Sequence, residues 1–505
     1  MERHRQAVKA ISTAVRGYFE RSEPYRIFHG STNSTRPRPK PGQPQARFVD
    51  ISSLNNVLGV DRAQKIALVE PNVPMDRLVE HTLKHGLVPP VVMEFPGITT
   101  GGGFAGTAGE SSSFKHGFFD ETIKSVEMVL GNGEVVKASR EERADLFHGA
   151  AGAVGTLGTT TLIELQLMDA KKYVQTTYHR VGSVKEAVEK VRKETANLDN
   201  DYVDGIVFSP THAVIVTGKL TDEKPTAAPI RTFSGAWDPW YYMHVQERSA
   251  TAQAATDYIP LGEYLFRYDR GGFWVGASAF KYFWMVPFTR FFRWFLDDFL
   301  HTRMLYRALH GSGESARFVV QDLAVPYDNV EAFVDYTAEN FDIWPLWLCP
   351  LKQAPAPTFH PHNKNEVNAD GTPKEMLNVG LWGWGPVNAE AFVHKNRALE
   401  DKLVQLGGMK WLYAHTYYSP NEFWALYDEK WYTALREKYH ATTLPSVYDK
   451  VKVDVDRRRR ELGEWRQRVK SLRPLGGLYG IAKSIKSGDY WLHRNATWKY
   501  KGKKE

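Results

Sequence analysis

The sequence predicts an α+β protein of more than one domain, and three observations predict it. Short β-like runs alternate with helical patterns up to about Met168. From Lys171 the texture changes to longer strand-like runs with many aromatic residues. A chain of 505 residues is also long enough for two or three well-buried cores. The expected division is 1–170, 171–450, and a basic extension at 451–505.

The elements follow in order. Residues 1–23 read as a helix, because Val8, Ile11, Val15 and Tyr18 recur at three- and four-residue spacing. A loop rich in Ser, Thr, Asn and Pro follows. FVDISSLN, KIALVEP and LVPPVVM are short β-like runs, and MDRLVEHTLKHG is a helix ending at Gly86. After a glycine run, VEMVLGNGEVVKAS reads as a hairpin around Gly131, Asn132 and Gly133. ADLFHGAAGAVGTLGTTTLIELQLM reads as a short helix, a glycine turn and a strand. In the second region YVQTTYHRV, YVDGIVFS and HAVIVTGKL are strands around the helix VKEAVEKVRKETANL. RFVVQDLAVP, IWPLWLCPLK and EMLNVGLWGW add strand character, and NEFWALYDEKWYTALREKY adds helix. VDRRRRELGEWRQRVK reads as a basic helix, and the last stretch shows no packing pattern.

Composition narrows the function. The net charge of +7 is concentrated: residues 452–505 hold 16 Lys+Arg against 6 Asp+Glu. The rest of the chain is slightly acidic, so no nucleic-acid-binding body is expected. A basic tail attracts anionic lipid or is simply solvated. The single Cys349 excludes a disulfide framework and cysteine-based metal sites, and no metal is expected. No signal-peptide pattern and no uninterrupted apolar span is evident, so an intracellular protein is expected, cytoplasmic or peripheral on the endoplasmic reticulum membrane. Residues 273–299 are strongly aromatic but interrupted by Lys281, Arg290, Arg293, Asp297 and Asp298. They read as one or two helices broken near Pro287: an interfacial helix, a tunnel wall, or packed core.

Three glycine-rich elements lie in the first 160 residues: HGSTNST (29–35), the run from Thr99 to Ser111, and GAAGAVGTLG (149–158). Glycines let a backbone approach a flat or phosphorylated group that side chains would hold off. A dinucleotide-binding βαβ unit is disfavoured, because ESSSFKHG after Gly109 is not an amphipathic helix. A P-loop is excluded, because no Gly-Lys-Ser/Thr occurs.

The pattern resembles the PCMH-type FAD-binding domain of the vanillyl-alcohol oxidase superfamily, and within it the delta-24-sterol reductase family. The resembling residues are GTAGESSS (106–113), ETIKSVEMVLGNGEVV (121–136), DLF (145–147), GTLG (155–158) and AKKYV (170–174). VVQDLAVP (319–326), WPLWLCP (344–350), LYAHTYY (412–418), EFWALYD (422–428) and PSVYDK (445–450) continue it. It covers roughly residues 25–450.

The resemblance implies FAD extended between two subdomains, followed by an α+β substrate (cap) domain. The pyrophosphate would be cradled by Gly30, Ser31, Thr32, Asn33 and Ser34 with Thr99, Thr100, Gly101, Gly102, Gly103, Phe104, Ala105, Gly106, Thr107, Ala108, Gly109, Glu110 and Ser111. No dedicated cation is expected there, so backbone N–H and hydroxyl groups would do the binding. Gly155, Thr156 and Gly158 would pass the adenine side, and His116 would lie near the site. The position of a covalently linking His reads Asn33 and the only cysteine lies far downstream, so FAD is expected to be non-covalent, with His29 the one nearby imidazole.

The family reaction is reduction of an isolated side-chain double bond of a sterol, with NADPH as electron donor. An unconjugated alkene accepts hydride poorly, so a placed acid in an apolar, water-poor pocket is needed. Tyr413 and Tyr417 match family positions; His415, Lys352 and Glu110 are further candidates. His415-Thr416 departs from the family's Asp-Cys, His116 is shifted by two places, and no N-terminal apolar anchor is evident. Those departures leave a terpenoid or prenylated substrate open. Two other readings also stay open: an oxygen-using FAD oxidase or dehydrogenase of the same superfamily in secondary metabolism, and a peripheral membrane or sterol-carrying protein with a vestigial flavin site.

Overall fold

The computed structural model describes residues 1–30, 47–251, 254–364, 367–454 and 475–502. The first helix, Glu2–Glu20, buries Val8, Ile11 and Val15 as their spacing predicts, and adds His4. His4 Nδ1 lies 2.9 Å from Glu70 and Nε2 lies 3.2 Å from Glu127, which ties the helix to the first sheet.

That sheet is antiparallel and five-stranded, in the order Val57–Asp61, Ile66–Val69, Thr159–Gln166, Ile123–Val129, Val135–Ser139. The last two strands form the expected hairpin, and Gly133 takes the positive φ of 85° that its turn requires. The helix Met75–Leu83 packs beside it.

The second sheet is antiparallel and eight-stranded. Its order is Ala254–Pro260, Tyr173–Val181, His212–Thr221, Tyr202–Ser209, Leu346–Leu351, Met376–Trp384, Phe318–Pro326, Met409–Lys410. Strand alternation sorts its side chains into two faces. Val319, Leu323 and Val325 join an apolar layer under the helices Val184–Thr195, Val330–Asn340 and Ala389–Gln405. Phe318, Val320 and Asp322 point the other way, toward the first sheet. The apolar layer between the two sheets is continuous, so they share one core.

One expectation stands and another changes. The aromatic segment forms the helices Val275–Tyr282 and Arg290–Phe295, with Pro287 in the break; part of it is cavity wall and part is exposed. The last stretch is packed rather than patternless. The helix Leu475–Ser487 lies on the helix Thr302–Ser312. A Cβ on Gly480 would stand 2.3 Å from the Ala308 carbonyl oxygen, so the two backbones touch where side chains would hold them apart. Ser484 donates to the Met304 carbonyl (3.0 Å), Arg307 pairs with Asp489, and His493 stacks on His301 at 3.7 Å. Contacts made by the absence of side chains leave no apolar periodicity to read. The predicted basic helix, residues 455–470, lies outside the described residues.

Candidate active site

One cavity of about 560 Å³ lies between the glycine run and the inner face of the eight-stranded sheet. Its glycine end begins with local chemistry. Thr99 is extended and its Oγ1 accepts the Gly102 N–H (3.1 Å), which starts a short helix, Thr100–Gly106. The left-handed Thr107 (φ 51°) ends it.

The run therefore does not present a row of unused N–H groups. Those of Thr100, Gly101 and Gly103 go to the carbonyls of Val73, Pro71 and Thr99 (3.0, 2.8 and 2.8 Å). What it presents is a wall without side chains. A Cβ on Gly101 would stand 2.7 Å from Pro71, one on Gly103 2.6 Å from Met93, and one on Gly109 2.7 Å from Leu351. Gly101 and Gly103 let the helix seat, and Gly109 lets the chain after it pass Leu351. Gly106 differs: its Cβ would meet nothing within 4 Å, because it faces the cavity.

Gly155 and Gly158 continue this wall, with Arg26, Ile27, Phe28 and His29. Lys450 donates to the Val154 carbonyl, and its Nζ lies 3.6 Å from where a Gly155 Cβ would be. Arg26 and Lys450 thus bring positive charge to a place where no cation was expected. A side-chain-free wall with cations beside it fits the flat rings and diphosphate of FAD.

Of the predicted binding residues, Thr99, Gly101, Gly102, Ala105, Gly106, Ala108, Gly109, Glu110, Gly155 and Gly158 line the cavity. Gly30, Thr100, Gly103, Phe104, Thr107, Ser111 and Thr156 are not among the lining residues; Gly30 is exposed, and the Thr156 hydroxyl lies 2.7 Å from the Tyr432 hydroxyl. His116 closes the turn Ser113–His116 away from the cavity; burial, then Lys115, lower its pKa. Ser31, Thr32, Asn33 and Ser34 lie outside the described residues.

Of the candidate acids, Tyr413 lines the cavity. Tyr417 does not: it belongs to the layer on the opposite face of the sheet, and its N–H donates to Glu400 (3.0 Å). His415 also lies off the lining, with its carbonyl accepting from Lys410. Lys352 is exposed. The segment LYAHTYY is a loop after the strand Met409–Lys410, so its side chains do not alternate between two faces.

Two carboxyl clusters face the cavity. In the first, fully buried Arg267 donates to Glu94 (3.0 Å), Asp204 (3.1 Å) and Ser111 (3.3 Å). Tyr268 and Trp347 also donate to Asp204 (2.8 and 3.2 Å). Glu110 joins this group, and one guanidinium cannot balance three carboxylates. Burial first, then the Glu94 charge, push the Glu110 pKa well up, which favours its protonated form.

The second cluster is Asp322. Tyr413 Oη donates to Oδ2, Trp382 Nε1 lies 3.3 Å from the same oxygen, and Asn378 Nδ2 lies 2.9 Å from Oδ1. The Leu323 N–H donates to Asn378 Oδ1 (2.9 Å), which fixes the amide. Burial raises the Asp322 pKa despite these three donors, and burial with Asp322 raises Tyr413 well above its ordinary value.

An aromatic wall surrounds this end. Phe273, placed by the positive φ of Gly271, Gly272 and itself, stacks on Tyr268 at 3.9 Å and lies 4.7 Å from Trp382. Trp411 Nε1 donates to the Thr107 carbonyl (2.9 Å) and so ties the tyrosine loop to the glycine helix. Sequence reasoning missed Asp322, Glu94, Arg267 and Lys450. The signal for the two acids was present: each is a lone carboxylate inside an apolar β-like run, VVQDLAVP and VVMEFPG.

Comparison with known proteins agrees with this geometry. A family model described as "FAD binding domain" matches residues 6–139. The Delta(24)-sterol reductase of Homo sapiens is 30% identical over 411 residues, 79% of this chain and 76% of that protein. That of Pisum sativum is 29% identical over 80% of this chain and 76% of its own. The Delta(24)-sterol reductase homolog of Caenorhabditis elegans is 26% identical over 80% of this chain and 79% of its own.

Proposed function

The chain belongs to the Delta(24)-sterol reductase family and is an FAD-dependent oxidoreductase; on that premise we propose that it saturates an isolated side-chain double bond of a sterol, with NADPH as electron donor. The observation that carries this reading is one cavity with two chemically different ends. A wall without side chains, flanked by Arg26 and Lys450, lies at one end, and a buried carboxyl in an aromatic wall at the other.

Gly102, Gly106, Gly109 and Gly155 are the residues that would let FAD lie against the backbone, with Arg26 and Lys450 toward its diphosphate. Bound FAD, once reduced, supplies hydride. The chain's own residues must supply the proton, because an alkene without a conjugated carbonyl gains no stabilisation as an anion. A tyrosine with a raised pKa is too weak an acid to protonate it alone. Asp322 changes this. When Asp322 is protonated its carboxyl O–H donates to Tyr413 Oη and frees the tyrosine proton for the alkene carbon; the carboxyl proton then replaces it, so the charge left behind sits on Asp322. Tyr413, Trp382 and Asn378 then stabilise the new carboxylate. The faces of Phe273, Trp382 and Trp411 line the volume where positive charge develops on the other alkene carbon. Burial of this end excludes water that would otherwise capture that carbon.

The test is anaerobic spectroscopy of the purified flavoprotein. NADPH should bleach the flavin, and a sterol with a side-chain double bond should restore its colour and appear as the saturated product. Acid should release all the flavin, as non-covalent binding requires. Failure of NADPH to bleach it, or peroxide release with an alcohol substrate, would overturn the proposal in favour of an oxidase.

A further inference from the structure

Two stretches far apart in sequence hold large apolar side chains in solvent. Between and along the helices Val275–Tyr282 and Arg290–Phe295, Trp284 is 79% exposed, Met285 61%, Phe291 54% and Phe295 65%. Trp294 stacks on the exposed Trp237 at 4.8 Å. The second stretch is the helix Leu475–Ser487, which exposes Leu475, Leu478, Tyr479 and Ile485. Gly477 of that helix lies against the rings of Tyr282 and Phe283, so the two surfaces adjoin. Nothing among the described residues covers them.

Charge selects the occupant. Residues 271–296 carry Lys281, Arg290 and Arg293 and no acidic residue; residues 475–488 carry Lys483 and Lys486 and no acidic residue. The neighbouring Asp297, Asp298 and Asp489 are committed to Arg270, Arg494 and Arg307. A protein partner would need an apolar surface rimmed by acids. Exposed tryptophans among unopposed cations instead suit the boundary between acyl chains and anionic headgroups. No helix among the described residues is long and apolar enough to cross a membrane.

We propose that this face docks the protein on the surface of an anionic lipid bilayer. The helices beneath it also wall the apolar end of the cavity, through Val275, Leu305 and Leu309. If the sterol reading above is right, a lipid-soluble substrate passes between bilayer and cavity without crossing bulk water; the docking itself does not depend on that reading.

The test is co-sedimentation of the full-length flavoprotein with phosphatidylcholine vesicles, with and without phosphatidylserine. Binding should need phosphatidylserine and weaken with salt. Trp284→Ser combined with Phe291→Ser and Phe295→Ser should lower the partition coefficient about a hundredfold or more. Lys281→Glu with Lys486→Glu should lower it by roughly tenfold or more for serine-containing vesicles alone. None of these residues lines the cavity, so flavin content and turnover of a detergent-dispersed substrate should be unchanged. Wild-type protein that stays in the supernatant with both vesicle types overturns the proposal. So does equal binding by either variant, or a wild-type dimer that ignores vesicles and becomes monomeric in the aromatic variant. Vesicle binding requires no turnover, so its failure is distinguishable from failure of the sterol reading.

Discussion

The glycine end and the acid end of the cavity are built in different ways. The glycine wall comes largely from one run, Thr99 to Glu110, with Gly155 and Gly158 added. The acid end draws Asp322 and Asn378 from paired strands, Tyr413 from a later loop and Phe273 from a left-handed turn. Holding a cofactor against backbone is a local task. Keeping a proton in an apolar place is a tertiary one, because the group needs burial and donors that no short segment supplies. The first end should therefore fail by losing its ligand, and the second by losing turnover with the ligand still bound.

The largest effect should come from Asp322→Asn. The amide fits the same place but has no proton to give, so kcat should fall roughly a hundred- to ten-thousand-fold while flavin content stays at the wild-type level. In the wild type, kcat should be constant in acid and fall as pH rises through the raised Asp322 pKa, since the protonated form is the active one. The variant should lack that limb. Loss of flavin from Asp322→Asn would show that the two ends are one unit and break the comparison.

Gly106→Leu probes the other end. A side chain directed into the cavity should weaken FAD binding roughly ten- to a hundredfold, about 1–3 kcal/mol. Fluorescence titration of the apoprotein measures it. Circular dichroism should be unchanged, because nothing else stands within 4 Å of the new Cβ.

The smallest effect should be that of Glu110→Gln, at the junction of the two ends. Glu110 has a raised pKa, so the native state holds its proton above the pH at which the unfolded chain releases it. Its contribution to stability is full in acid and falls as pH rises from the ordinary carboxyl range toward the raised value. Gln imitates the protonated form. Denaturant melts should match the wild type in acid and equal or exceed it at higher pH, by on the order of 1 kcal/mol. A variant less stable at every pH would mean that Glu110 is ionised in the native state.

This contrast also explains what the sequence made legible. The hairpin around Gly133 and the amphipathic helix of Val8, Ile11 and Val15 are local patterns, and each stands where predicted. Tyr413 was found through its segment, whereas Tyr417, four places on, faces the opposite layer. No period assigns the two sides, because the loop that carries them has none. Asp322 was visible only as a charge in an apolar strand. Its meaning depends on Asn378 and Trp382, which reach it through strand pairing about sixty positions away. The helix at Leu475–Ser487 escaped notice because its contact uses glycine.

That last helix also sets an order of assembly. The helix Thr302–Ser312, which forms part of the cavity wall, is translated well before the helix that braces it. At usual elongation rates of about 5–20 residues per second, it waits on the order of ten seconds with Met304 and Ala308 uncovered. The emerging chain thus passes through an interval in which part of its cavity wall lacks the helix that covers it.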